Sequence, residues 1–501
     1  VTDELVSSTP ATEPASESNS TPDANAPEHR SRNRLVINLI LAATFVVFLN
    51  ETIIIVAIPK VMATLNIQES TAQWLSTAFM LTMAIVIPTT GFLMQRLSTR
   101  TVFILAMSLF TAGTAIAAIA PGFEILLAGR IVQSAGTAIM LPLLMTTVMT
   151  LVPPHERGKT MGNISIVMSV APALGPAIGG VIVQAFDWRV IFILVLPISI
   201  LALVLGAMRI QNVSEPRAVP LDVLSVILSA FAFGGLVFGL SSLGEAAAGH
   251  SLLAPWIPLT VGGIALVAFI LRQVQLQRGD RAFLDLRTFT SRGFTISIVL
   301  MVIMMGSLFG TIIVLPIYTQ DVLQVEPVLS GLITVPGSLL MGLAGPFIGR
   351  LYDKFGPRPL IVPGAIAVSA SLWAMTTYGV STPWVLVLVL YILLSVGLAF
   401  MFTPLFTTSL GSIKPHLYSH GSATIGTVQQ LGGAAGTALF IALLTIGKIG
   451  AASDGANDVD ALASGVHIAF LAGAIISLFA VVASFFVPKP ESEFGPAAGH
   501  H

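Results

Sequence analysis

Two charged side chains stand inside stretches otherwise apolar enough to cross a membrane. Glu51 lies in Leu49-Asn-Glu-Thr-Ile-Ile-Ile-Val-Ala-Ile-Pro59, and Arg130 in Leu127-Ala-Gly-Arg-Ile-Val-Gln-Ser-Ala-Gly136. A carboxyl at such depth is expensive to ionise, so Glu51 can keep its proton near neutral pH, as a reversible proton carrier must. The structural alternative is an acid paired once and for all with a neighbouring base. Both residues are expected about seven residues, roughly 10 Å, from the outer ends of their spans. An ion pair, or a chain through Asn50 and Gln133, is therefore geometrically possible. The plainer role for Arg130 is hydrogen bonding to nearby backbone carbonyls.

The remaining candidates are less charged. Gly175/Gly179, Gly345/Gly349 and Gly432/Gly436 are spaced so that helix backbones can approach closely, and Pro176 can kink its helix. Gly91–Arg100 and Gly349–Arg358 are short, basic, turn-forming segments that set topology. They can also form a gate in which Asp353 bonds Arg358 or a neighbouring helix N-terminus, with Arg96 and Arg100 in the equivalent segment. Tyr318, Gln320, Gln429 and Gln430 are candidate pocket residues. There is no Cys, hence no disulfide, thiol nucleophile or Cys metal site, and no metal site is expected.

The elements that hold these residues follow from composition. Of 501 residues, 55% are hydrophobic and 9% are Asp, Glu, Lys or Arg. A water-facing surface needs about 25% charged residues. A soluble enzyme, a nucleic-acid binder and a secreted disulfide scaffold are therefore poor readings, and an all-α integral membrane protein is expected. Apolar windows long enough to span recur fourteen times, at 35–58, 74–94, 102–121, 124–151, 160–185, 189–208, 222–243, 255–273, 294–318, 329–351, 358–378, 384–410, 419–446 and 466–487. Residues 1–34, rich in Ser, Thr, Pro, Ala and Glu, read as a disordered tail.

With the N-terminus inside, nineteen of the 23 Lys and Arg fall in inner segments. Only Lys60, Arg189 and Lys448 fall outside, and Arg130 is within a span. This asymmetry predicts a cell-membrane protein with both termini cytoplasmic. The segments beginning at Gly91 and Gly349 match at an offset of 258 residues, and Leu174-Gly-Pro-Ala-Ile-Gly-Gly180 matches Leu431-Gly-Gly-Ala-Ala-Gly-Thr437 at 257. A duplicated half is implied. The expected organisation is a tail at 1–34, a six-helix half at 35–208, an inserted pair with linkers at 209–293, a second half at 294–487 and a tail at 488–501. Parallel six-helix repeats are a transporter architecture with a site between the halves.

Taken together, Leu49–Pro59, Leu127–Gly136, Gly175–Gly180 and the two inner-loop segments resemble the motifs of the major facilitator superfamily, in its fourteen-helix drug/proton antiporter family. The Asn50-Glu51-Thr52 form is similar to the lincomycin-resistance branch. The resemblance implies the major facilitator fold over about 35–487, with Glu51, Asn50, Arg130 and Gln133 in proton coupling. It also implies an antiporter motif at Gly175, Pro176, Gly179 and Gly180. The family's usual first-helix Asp aligns with Asn50, and the loop acid of the first half is replaced by Gln95.

The expected function is export of amphipathic drugs or toxic compounds, driven by the proton gradient without a cofactor. The expected partners are lipids, protons and small amphipathic molecules, not nucleic acid, and the working unit is a monomer. An exporter of an endogenous metabolite, lipid or siderophore would share these motifs. An intramembrane enzyme or a channel is the third class. An enzyme would need a second titratable group at depth, and His155, His250, His416, His420 and His467 are read as lying in loops or at helix ends.

Overall fold

The computed structural model describes residues 27–212, 220, 222–247 and 254–488. Fourteen of its helices are long and apolar enough to cross a membrane. The first six are α1 (Pro27–Leu65), α2 (Glu69–Arg96), α3 (Thr99–Ala118), α4 (Phe123–Leu151), α5 (Arg157–Ala185) and α6 (Arg189–Arg209). The inserted pair is α7 (Val223–Leu243) and α8 (Trp256–Leu276). The last six are α9 (Arg292–Ile317), α10 (Pro327–Phe355), α11 (Arg358–Met375), α12 (Trp384–Gly411), α13 (Tyr418–Ser453) and α14 (Asp458–Ser484).

Each of these helices overlaps one of the expected windows, because a backbone without water must satisfy its own hydrogen bonds. Local chemistry sets several ends. Ser98 and Ser291 accept the amides of Thr101 and Phe294 to start α3 and α9. Gly356 closes α10 at φ 79°, where its N–H reaches Tyr352 O at 2.8 Å.

Several boundaries move, among them the start of α14 at Asp458 rather than 466 and the end of α13 at Ser453 rather than 446. The first helix starts at Pro27, before the expected boundary at 35, with proline in the first turn where its missing N–H has no cost. It also continues through Pro59 to Leu65. A proline removes one intrahelical bond, and the chain beyond can resume the helix. Residues 1–26 and 489–501 of the expected tails, and 213–219, 221 and 248–253 of the inserted segment, His250 among them, lie outside the described residues.

The first and last six helices repeat one contact pattern. The pairs α1–α5, α3–α4, α3–α6 and α2–α4 recur as α9–α13, α11–α12, α11–α14 and α10–α12. The halves meet through α5 against α10 and α2 against α13, the two equivalent pairs under that duplication. The inserted helices lie to one side, with α7 against α2 and α13. Their ends are joined by Arg272, which donates to both Asp222 oxygens at 3.0 and 2.9 Å. Buried Gln273 donates to Ser225 Oγ and accepts the amides of Phe283 and Leu284. That network presses the 277–291 linker onto α2, where Phe283 stacks on Phe92 with centroids 6.0 Å apart.

Candidate functional site

The site is built where α1, α4 and α5 meet. Glycines bring these backbones together. A Cβ at Gly175 would collide with Thr52 Oγ1, and one at Gly179 would come within 2.8 Å of Ile53 O. The α5 glycine pair therefore holds α1 at the residues next to Glu51. Gly180 packs loosely, with its nearest neighbour atom at 4.0 Å, and Pro176 is exposed. On the other side, Gly113 of α3 lies against the Gln133 backbone, so α3 and α4 are in close contact where the polar chain begins.

Glu51 is half-buried and Asn50 is buried. Arg130 is buried to 1% exposure, and its charge is the one that acts on Glu51. Among the described residues there is no ion pair within 4.0 Å between them. Arg130 Nη1 instead donates to Gln133 Oε1 at 2.7 Å, and Gln133 Nε2 donates to Thr114 Oγ1 at 2.8 Å. The guanidinium lies 4.1 Å from the Phe79 ring centroid. The backbone-carbonyl role considered for Arg130 is replaced by Gln133 and an aromatic face. The Asn50 amide has no hydrogen-bond partner among the described residues, so the chain through Asn50 is not formed.

A second group of expected residues joins the halves. Asp353, near the end of α10, accepts the main-chain amides of Gly158 (2.8 Å) and Lys159 (2.9 Å) at the start of α5. Of the two partners considered, the helix N-terminus is the one present; Arg358 donates to Val487 O at 2.7 Å. Partial positive charge at a helix start suits a carboxylate there. Gly349 and Gly345 allow the contact, since a Cβ on either would run into the Gly158 or Gly162 carbonyl. Ser165–Thr403 (2.7 Å) and Thr146–Ser422 (2.7 Å) continue the seam toward mid-bundle. The halves are thus latched near the end that carries most of the basic loops. Arg96 and Arg100 are exposed and take no part in the latch.

The pocket candidates separate. Tyr318 belongs to the core: it stacks on Tyr378 with centroids 4.8 Å apart and donates to Gly379 O at 2.7 Å. Gln320 donates to Ser330 Oγ at 3.2 Å within its own half. Gln429 and Gln430 are half-buried on α13, and Gln430 reaches Met83 Sδ across the halves at 3.7 Å.

Sequence reasoning missed Phe79, Thr114 and His420. Nothing local marks Phe79 or Thr114, which are brought in by packing. His420 is not at a loose helix end but is 2% exposed between the halves, where its Nε2 lies 2.6 Å from Gln95 Nε2. A signal existed: Pro154-His155 and Pro415-His416 open equivalent turns, which aligns His420 with Lys159 at an offset of 261, one helical turn from the 257 of the glycine match.

The model of the Major Facilitator Superfamily matches residues 40–437. Over 467 residues the chain is 39% identical to the uncharacterized MFS-type transporter YcnB of Bacillus subtilis, covering 93% of this chain and 97% of YcnB. It is 37% identical over 459 residues to the lincomycin resistance protein LmrB of Listeria monocytogenes, covering 91% and 96%. The crystal structure of the human organic anion transporter MFSD10 superposes with a TM-score of 0.63 at 16% identity, covering 90% of this chain and 99% of that one.

Proposed function

The chain belongs to the major facilitator superfamily, and on that premise we propose that this membrane transporter is a proton-coupled antiporter exporting amphipathic drugs or toxic compounds. The observation that carries the reading is a half-buried Glu51 and a buried Arg130, opposite in charge, on the packed helices α1 and α4, with α1 held by the α5 glycines. Intramembrane charges of this kind are costly and are kept for function.

In this reading the basic end faces the cytoplasm of a cell membrane, both termini are inside, and one chain contains the whole site. With the basic end open, cargo enters as Glu51 gives up its proton. Arg130, held by Gln133 and Phe79, supplies the opposite charge on the neighbouring helix α4. After the halves rock and the Asp353 latch closes, a proton from outside returns to Glu51 and displaces the cargo. Apolar walls and one acid suit neutral or cationic amphipaths, and relatives named for lincomycin resistance make lincomycin the first compound to try.

The test is purified protein in liposomes under an imposed pH gradient, with lincomycin and cationic dyes as cargo. Uptake that rises severalfold with the gradient and collapses with a protonophore supports the reading. Gradient-independent flux of every compound overturns it.

A further inference from the structure

We propose that His420 is a second proton-binding site of the transport cycle, one that lets the basic end close only while its ring is neutral. This rests on the alternating-access reading above.

The duplication places two latches at the basic end. In one, Asp353 of α10 takes the amides of Gly158 and Lys159 on α5. In the other, Gln95 of α2 meets His420 of α13 at 2.6 Å. Gln95 stands 258 residues before Asp353, and His420 follows its Pro-His turn at the same distance as Lys159. The second latch therefore puts a neutral amide and a titratable ring where the first has a carboxylate and helix amides.

The geometry of the closed state disfavours a charged ring. Gly91 lets α2 come so close that a Cβ there would lie 3.2 Å from His420 Nδ1. Nδ1 is buried without a hydrogen-bond partner among the described residues, and Nε2 faces an amide nitrogen. An imidazolium has two N–H donors and needs an acceptor at each. With the amide nitrogen donating to Nε2, a second proton breaks that bond unless the amide turns its oxygen to the ring, and even then Nδ1–H has no acceptor.

The charged and titratable groups facing the ring are Asp285 and Arg287 from the linker and His416 from the preceding turn. Of these, Asp285 is an anion and Arg287 a fixed cation. Asp285 is already engaged by Arg287 through Nε and Nη2 at 2.6 to 3.0 Å. Opening the basic end exposes the ring to water, which supplies the missing acceptors. Protons on that side then favour the open state.

The test uses the absence of Cys in the chain. Thr101→Cys and Lys414→Cys place spin labels on exposed positions of opposite halves near the basic end. Their distance is read from about pH 8 to pH 5, the range of histidine titration, in a Glu51→Gln background so that the outcome is independent of that proton. The short-distance population is expected to dominate at the alkaline end and to be lost toward the acid end. His420→Gln, still able to bond Gln95, should keep the short distance throughout, and Asp285→Asn should deepen the acid-side loss. A pH-independent distance without His420→Gln overturns the proposal, as does the same loss in His420→Gln. Should His420→Gln not fold, an unchanged profile in Asp285→Asn overturns it.

Discussion

Asp353 accepts the main-chain N–H of Gly158 at 2.8 Å, joining the end of α10 in one half to the start of α5 in the other. The bond survives only while the two backbones touch, because Gly349 and Gly158 have no side chains to separate them. Asp353→Asn keeps the shape and one acceptor but loses the charge. A charge-assisted bond contributes about 1.5–3 kcal/mol, so the closed population should fall roughly tenfold or more. Disulfide cross-linking of introduced cysteine pairs across the basic end measures it.

The glycines make a graded prediction. Gly349→Leu should abolish transport while leaving the protein in the membrane, since its side chain would meet the Gly158 carbonyl. Gly175→Val should do the same by displacing Thr52 and, with it, Glu51. Gly180→Ala should transport normally, its nearest neighbour being 4.0 Å away. Transport rate normalised to membrane content separates the three.

Much of this was legible from residue spacing. Fourteen apolar windows, one offset of about 258 residues and the sign-sorted loops specify the helices and their pairing by halves. One of the two partners expected for Asp353 is the one present, because a carboxylate in the last turn of a helix has few donors within reach. What spacing could not supply is which faces meet. Phe79 comes under Arg130 because α2 packs on α4, and Tyr318 leaves the pocket because Tyr378 covers it. The apolar window at 35–58 understates α1, because Pro59 costs the helix one bond and the chain continues it to Leu65. His420 follows an exposed turn in the sequence, yet in the first turn of α13 its ring is buried between the halves.

Phe79 should be needed for its face rather than its bulk. A cation over an aromatic ring contributes about 0.5–2 kcal/mol. Phe79→Leu is expected to slow transport severalfold by loosening Arg130, and Phe79→Tyr to be close to normal. Initial rates under a fixed pH gradient read the difference.

The inserted pair carries a pH-dependent element of stability. The hydrogen bond from Arg272 holds the Asp222 carboxyl below its usual range. A folded value below the unfolded one stabilises above about pH 4 and is lost as pH falls through the folded value. Asp222→Asn should lower thermal stability in detergent at neutral pH and flatten its decline on acidification. Melting curves across pH check both.

The most direct measurement concerns Glu51. Liposomes containing Glu51→Gln protein, loaded with cargo and given an inward proton gradient, are compared with unaltered protein. Loss of gradient-driven transport is expected, with cargo exchange at equal pH on both sides weakened too, since the neutral Gln resembles the protonated acid that displaces cargo. Gradient-driven transport at an undiminished rate in Glu51→Gln would contradict Glu51 as the proton carrier.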